Sequence, residues 1–191
     1  IFYAVRTQSK ILDRSYNNTK VFYNIPENVL VPADKFSANA AENYLSMVHG
    51  DNINEAILHD VVDATPAMVN VYRIKRVLFE MVRTNFMMVE SKHLYSKILE
   101  NTIGGYNFQT GNLLKVQFYN KCLLLLLLKN GQLQLIQSYP CASQDDMLYY
   151  ILSIVQQYGV QPEEIKIELS GQLDTRTQYY DYLRKMFSNI H

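Results

Sequence analysis

The stretch Leu113–Ser138 reads Leu113-Leu114-Lys115-Val116-Gln117-Phe118-Tyr119, Asn120-Lys121, Cys122 and six leucines to Leu128, then Asn130-Gly131, then Leu133-Gln134-Leu135-Ile136-Gln137-Ser138. Turns this short between apolar runs of strand length leave room only for chain reversal. The spacing therefore predicts a three-stranded antiparallel meander. The roughly sixteen-residue pattern Ser143–Tyr158 that follows is long enough to return the chain across the sheet, so Ile165–Leu169 is expected to pair in parallel.

Working outward, Ser143 and the acidic residue three positions later, Asp146, form a capping-box pattern that also sets negative charge on the positive end of a helix. No charged residue occurs from Met147 to Val160. Leu148, Ile151, Leu152 and Val155 make one stripe, widened by Met147, Ile154 and Tyr158, so the helix is expected to be covered on most sides. Gly159 ends it. Ile165, Ile167 and Leu169 alternate with Lys166 and Glu168, Gly171 closes that strand, and Thr175–Phe187 reads as a last helix with Tyr179, Tyr182, Leu183 and Met186 inward.

Upstream, Phe2–Arg6, Lys20–Ile25 and the segment from Asn28 to Val31 read as strands. A helix from Ala38 shows Ala41, Tyr44, Leu45 and Val48 at helical spacing, with Gly50 as its stop. Ala56–Val62 and Met68–Ile74 are apolar runs held apart by Asp63-Ala64-Thr65-Pro66. Val77, Leu78, Met81 and Val82 share one face of a helix from Lys75 to Asn85. Phe86–Val89 reads as a short strand and His93–Leu99 as a helix stopped near Gly104-Gly105. The loop 104–112 is the strongest candidate for a lobe boundary, and a second lies near Tyr72. The division adopted is a first lobe over 1–72, incomplete at its amino end, and a second over 73–191.

Composition narrows the partners. Lys plus Arg equal Asp plus Glu at 18 each in 191 residues, so no global field draws phosphate backbones or anionic membranes, and nucleic acid is not an expected partner. Two cysteines, Cys122 and Cys141, fit a reducing compartment better than a disulfide framework, which points to the cytoplasm. Six leucines fall far short of the ~20 apolar residues that span a bilayer, so no direct membrane insertion is expected. No signal peptide is visible, although the first residue is Ile rather than Met, which leaves the start of the chain open. Glycine is scarce, with seven in the chain against an average near 7%. Tyrosine is abundant at fifteen and suits protein contact surfaces.

The β-β-β-α-β-α order of the second lobe is that of a ribonuclease H-like half, the α/β unit duplicated in actin-like ATPases. The segments Asp145-Asp146-Met147-Leu148-Tyr149-Tyr150-Ile151-Leu152 and Glu168-Leu169-Ser170-Gly171, with Leu30-Val31-Pro32 upstream, resemble the DUF3822 family, uncharacterised proteins of Bacteroidetes. The similarity runs from about Leu12 to Ile190, with its motifs concentrated after Leu113. The resemblance implies a two-lobed, actin-like architecture with mixed sheets and transfers no activity. Much of the first hairpin expected in lobe one is missing.

An actin-like ATPase wraps phosphates in hairpin turns, usually with Asp and Gly, and holds a magnesium-bound water with acidic groups. The corresponding turn here, Asn120-Lys121, has neither residue. The nucleoside-binding element of the superfamily, as the resemblance implies it, reduces to Ser170-Gly171 followed by Gln172. Asn120, Lys121, Ser170 and Gly171 are thus the nucleotide-binding candidates, for ATP and magnesium, with Gly171 also explained as a strand-end turn of positive φ. A nuclease of this fold needs a carboxylate on its first strand, and Leu113–Tyr119 has none. Glu168 reads as a partner for Lys166. His49, His59, His93 and His191 show no metal-ligand spacing and read as structural or exposed. Asp60 and Asp63 beside His59 read as turn formers near Pro66, and Gly104-Gly105 leads to no helix start. No catalytic residue, metal site or obligatory cofactor is assigned. The expected role is a non-catalytic actin-like adaptor or scaffold that binds a protein or peptide in a cleft or at a sheet edge. The alternative is an ATP-binding protein or slow ATPase.

Overall fold

A computed structural model describes residues 7–12, 14, 16–86, 88–104, 110–119, 121–172 and 178–191, with Gln178 and Tyr179 as backbone only. The chain forms two compact units, Ile1–Gly105 and Tyr106–His191. The strand expected at Phe2–Arg6 lies outside the described residues.

The first unit contains β1 (Thr19–Tyr23), β2 (Asn28–Pro32), α1 (Ala41–His49), β3 (Glu55–Val62), β4 (Met68–Lys75), α2 (Arg76–Asn85), β5 (Val89–His93) and α3 (Leu94–Ile103). β4 is buried from Met68 to Ile74 because it lies between β2 and β3, both antiparallel to it. Leu45 of α1 packs on Val31, Val69 and Val71, and Gly50 at φ +75 closes that helix. β1 and β5 pair in parallel as a separate two-stranded sheet. The boundary placed between 72 and 73 is corrected by this pairing. Tyr72 is paired with both Asn28 and Leu58, and Arg73 with Ile57, in the middle of β4, so the division falls at the loop after α3 instead. β5 also begins later than the reading of Phe86–Val89, since Met88 turns the chain at φ +51.

The second unit contains β6 (Asn112–Tyr119), β7 (Cys122–Lys129), β8 (Gln132–Pro140), α4 (Gln144–Gln157), β9 (Ile165–Gly171), α5 (Gln178–Met186) and β10 (Asn189–Ile190). Its sheet order is β10-β9-β6-β7-β8, with β6 parallel to β9 and antiparallel to β7. This is the meander and parallel return read from the sequence, extended by one strand. Asn130 and Gly131 take φ +52 and +76 at the β7–β8 turn, the two positive values a tight hairpin of this hand requires. Leu123, Leu125 and Leu127 join Leu114, Val116, Ile165 and Ile167 beneath α4 and α5. Leu124, Leu126 and Leu128, which alternation sends to the opposite face, are equally buried.

Two helix faces differ from the sequence reading. α4 buries Met147, Ile151, Ile154 and Val155 and partly buries Leu148, Tyr150 and Leu152, yet leaves Tyr149 67% exposed, so its cover has a gap at that position. α5 turns Leu183 inward and Phe187 follows, whereas Tyr182 and Met186 are half exposed. Among the described residues, no helix is long and apolar enough to cross a membrane.

Candidate functional site

In the second unit, the carboxyl ends of the parallel strands β6 and β9 lie side by side at the point where the sheet changes from parallel to antiparallel. Open α/β sheets bind ligands at such ends. Ser170 is opposite Gln117 and Gly171 opposite Phe118, while Tyr119 and Cys122 flank the turn that contains Lys121. Three of the sequence candidates, Lys121, Ser170 and Gly171, therefore share one end of one sheet. The fourth, Asn120, lies outside the described residues.

Each of the three has a local structural task. Gly171 has φ +90, and a Cβ there would sit 2.1 Å from the Phe118 carbonyl oxygen. The glycine is required by the approach of two backbones, and the Gln172 amide then donates to that same carbonyl at 3.1 Å. The Ser170 hydroxyl donates to the Val116 carbonyl at 3.5 Å. Lys121 is exposed, with φ +58, and its carbonyl accepts the Cys141 amide at 2.9 Å.

The start of α4 stands at the same end of the sheet, because Cys122 pairs with Pro140 at the end of β8. A helix start is a natural anion site, but here it is filled from within. The Asp146 carboxylate accepts the Ala142 and Ser143 amides, both at 2.9 Å, and the Ser143 hydroxyl accepts the Asp146 amide at 3.1 Å. These amide bonds hold the Asp146 carboxyl below the usual range. A phosphate there would meet the fixed negative charge of the Asp146 carboxylate. Burial, with Asp146 adding to it, pushes the nearby Cys141 thiol up, which keeps it un-ionised and poorly nucleophilic.

Glu168 is bound between Lys166 at 2.7 Å and Lys115 at 3.0 Å. Burial raises its pKa, but the two lysines outweigh that and leave it lowered, so this carboxylate is already neutralised by side chains. Among the described residues, no group of three or more His, Cys, Asp or Glu is placed to hold a metal ion.

The first unit holds a polar cluster that sequence reading missed. Asp60 is not in a turn; it is a 7% exposed residue of β3. Its carboxylate accepts the His93 amide at 2.7 Å, the Ser96 hydroxyl at 2.7 Å and the Tyr72 hydroxyl at 3.1 Å. Burial raises the Asp60 pKa despite those three bonds. Asn70 links Ser96 at 3.0 Å to Asn28 at 3.0 Å. His93 is fully buried, with Nδ1 accepting the Tyr95 amide at 3.1 Å and Nε2 donating to the Ile25 carbonyl at 2.9 Å. That pattern specifies the neutral tautomer, and burial pushes its pKa down to about 4. Arg73, also buried, ties Glu27 and Glu55 to the His49 and Gly50 carbonyls at the end of α1. The signal in the sequence was Asn70 and Arg73 inside the otherwise apolar run Met68–Ile74. Apart from Glu55 Oε2, which faces Arg73 at 3.2 Å without a hydrogen bond, these groups satisfy one another and join β2, β3, β4 and α3, which makes the cluster a brace for the unit.

A cavity of about 180 Å³ beside β1 and β5 is lined by Lys20, Phe22, Glu90, Lys92, Lys97 and Glu100. Its charges are largely matched, Lys20 to Glu90 at 3.1 Å and Lys92 to Glu100 at 2.8 Å. Gly104, read in the sequence as a helix stop, closes α3 by donating its amide to the Glu100 carbonyl at 3.0 Å; Gly105 lies outside the described residues.

The family model described as "Protein of unknown function (DUF3822)" matches residues 1–190. Among solved structures, a Bacteroides thetaiotaomicron protein described as having an actin-like ATPase fold and unknown function superposes with a TM-score of 0.80 at 17% identity. The match covers 99% of this chain and 73% of that one. At that identity the likeness concerns the fold alone. No curated protein matches.

Proposed function

Because this chain belongs to the DUF3822 family and has an actin-like fold, we propose that it is a non-catalytic adaptor or scaffold of that fold, binding a protein or peptide partner in the cytoplasm. The observation that carries this reading is the filled helix start at the sheet end where a phosphate would dock. There the Asp146 carboxylate takes the Ala142 and Ser143 amides, while Gly171 is committed to the Phe118 backbone. The Asp146 carboxylate sets a negative charge at the helix start, the strand-end glycine is held by its own sheet, and Lys121 is a point charge on a flexible stem. The surface meanwhile offers exposed tyrosines, Tyr149 and Tyr182 among them, which suit protein contacts.

The alternative, an ATP-binding protein or slow ATPase, would use Ser170, Gly171 and the Asn120-Lys121 turn, with magnesium-holding acids supplied from elsewhere. Phosphate release from ATP with magnesium separates the two. The expected rate equals that of ATP in buffer over hours. Release above that background, reduced in Lys121→Ala, would establish the ATPase instead. Gly171 is unsuitable as a probe, since any side chain there strikes the Phe118 backbone and would perturb folding along with binding.

A further inference from the structure

Every open sheet offers its last strand to another chain unless something prevents it, and proteins ordinarily use charge, shortness, proline or bulges for that purpose. Most edges of this protein are guarded or taken. β1 carries Lys20, and β5 carries Glu90 and Lys92. β2 is five residues ending in Pro32, β10 has two residues, and Ser138 in the middle of β8 already has a partner. β3 is different: it runs eight residues, Glu55–Val62, and its one neighbour in the sheet is β4. Its two acids do not guard it. Asp60 is buried among three hydrogen-bond donors, and Glu55 lies 3.2 Å from the buried Arg73.

Backbone pairing fixes which groups of β3 are open. The Arg73 amide donates to the Glu27 carbonyl at 3.2 Å and the Ala33 amide to the Ala67 carbonyl at 3.1 Å, so odd-numbered positions along β4 turn their N–H and C=O groups to β2 and even-numbered ones turn theirs to β3. Ala56, Leu58, Asp60 and Val62, opposite Ile74, Tyr72, Asn70 and Met68, therefore spend their backbone groups on β4. Ile57, His59 and Val61 direct theirs at the open edge, and among the described residues none bonds to them. The side chains of these three share one face. Ile57 packs on the core that holds Val69 and Val71, His59 meets the Phe36 ring at 5.0 Å, and Val61 is 69% exposed. At the start of the strand a cavity of about 490 Å³ is lined by Ile53, Ala56 and Ile57, with Glu42 and Arg76 of opposite charge beside them.

We infer that this edge pairs antiparallel with the β3 edge of a second copy of the chain, across a two-fold axis at His59, with Val61 of each copy seated beside Ile57 in the cavity of the other. Self-complementarity selects this occupant. The exposed apolar side chain lies two residues past His59 and the cavity residue Ile57 two residues before it, so antiparallel pairing at His59 carries each to its complement. Isologous contacts require a surface that fits itself in this way, and they close on themselves and stop at the dimer. His59 then faces His59 of the partner subunit, and Ile57 faces Val61 of the partner subunit, in rungs that satisfy the open N–H and C=O groups. Beyond them Asp63 of the partner subunit comes opposite Glu55, whose charge the Arg73 guanidinium balances. The chain's formal net charge of zero adds no long-range repulsion between copies. The inference stands apart from the adaptor reading, which holds for a monomer or a dimer alike.

Sedimentation velocity of the whole chain over a range of concentrations tests it, with His59→Lys, His59→Glu and Val61→Lys as variants. His59 and Val61 are both exposed, so all three are expected to fold, and far-ultraviolet circular dichroism checks this. The wild-type chain sediments as a dimer. Each variant alone sediments as a monomer, because like charges meet at the axis or a lysine is set against Ile57, and an equimolar mixture of His59→Lys and His59→Glu recovers the dimer. A wild-type monomer at the highest concentration overturns the inference and leaves the edge to a different chain. A dimer that survives all three substitutions overturns it too, because the contact then lies elsewhere, and a mixture that stays monomeric overturns the two-fold axis at His59.

Discussion

His93 is the residue whose chemistry reaches furthest beyond its size. Buried without a charged partner, it accepts the Tyr95 amide through Nδ1 and donates to Ile25 through Nε2. A second proton would set two donors against each other, and burial already holds the pKa near 4 against an ordinary 6.5. Between those values the unfolded chain binds a proton that the folded chain refuses, so folded stability falls as pH drops from 6.5 toward 4. The ceiling on this effect is roughly 3 kcal/mol. Asp60 works in the opposite direction. Its raised pKa means the folded state takes up a proton before the unfolded one does, which offsets part of the loss toward the acid end of the window. Urea unfolding at pH 7 and pH 5 is expected to show the wild type less stable at the lower value, and His93→Gln with a visibly flatter dependence. An equal slope in both proteins would show that His93 does not set it. Sequence alone did not reveal this pair, because an isolated histidine and an aspartate near a proline have commoner explanations than a shared burial site. Only the pairing of β3 with β4 brings Asp60 to Tyr72, and only the β5–α3 junction brings His93 to Asp60.

At the scale of elements, most of the second unit was legible. Short turns force the meander, and the Ser143–Asp146 capping box sets the start of α4 where the periodicity places it. Ser143→Ala removes the hydroxyl that accepts the Asp146 amide and is expected to cost about 1 kcal/mol in chemical denaturation, with the denaturant dependence unchanged. No measurable loss would mean the cap is not holding that helix end. β10 could not be read. Two residues carry no alternation, and the strand exists because the His191 amide donates to Ile167 and the Leu169 amide donates to His191, bonds that sequence pattern does not encode. The outward faces of α4 and α5 were misjudged for a related reason. Periodicity gives the width of an apolar stripe but not what stands opposite it, and Tyr149, Tyr182 and Met186 are 67%, 50% and 46% exposed. The candidate site was half legible: Lys121, Ser170 and Gly171 do meet at one sheet end, but the backbone contact that claims Gly171 and the self-capping of α4 emerge only in three dimensions.

For the whole molecule, family and fold are settled and the activity is not implied by either. An actin-like fold serves as a scaffold on which function depends on the site, and the structural relative, itself of unknown function, shares only 17% of its residues. What distinguishes this chain is chemical. Its net charge is zero, and the described acids at the sheet end are occupied or exposed. On the proposed adaptor reading the protein works without nucleotide. Calorimetric titration of the chain with ATP and with ADP, each in the presence of magnesium, tests this most directly. The account predicts no heat of binding up to millimolar nucleotide. Heat that saturates at micromolar nucleotide, and weakens in Lys121→Ala, would contradict it.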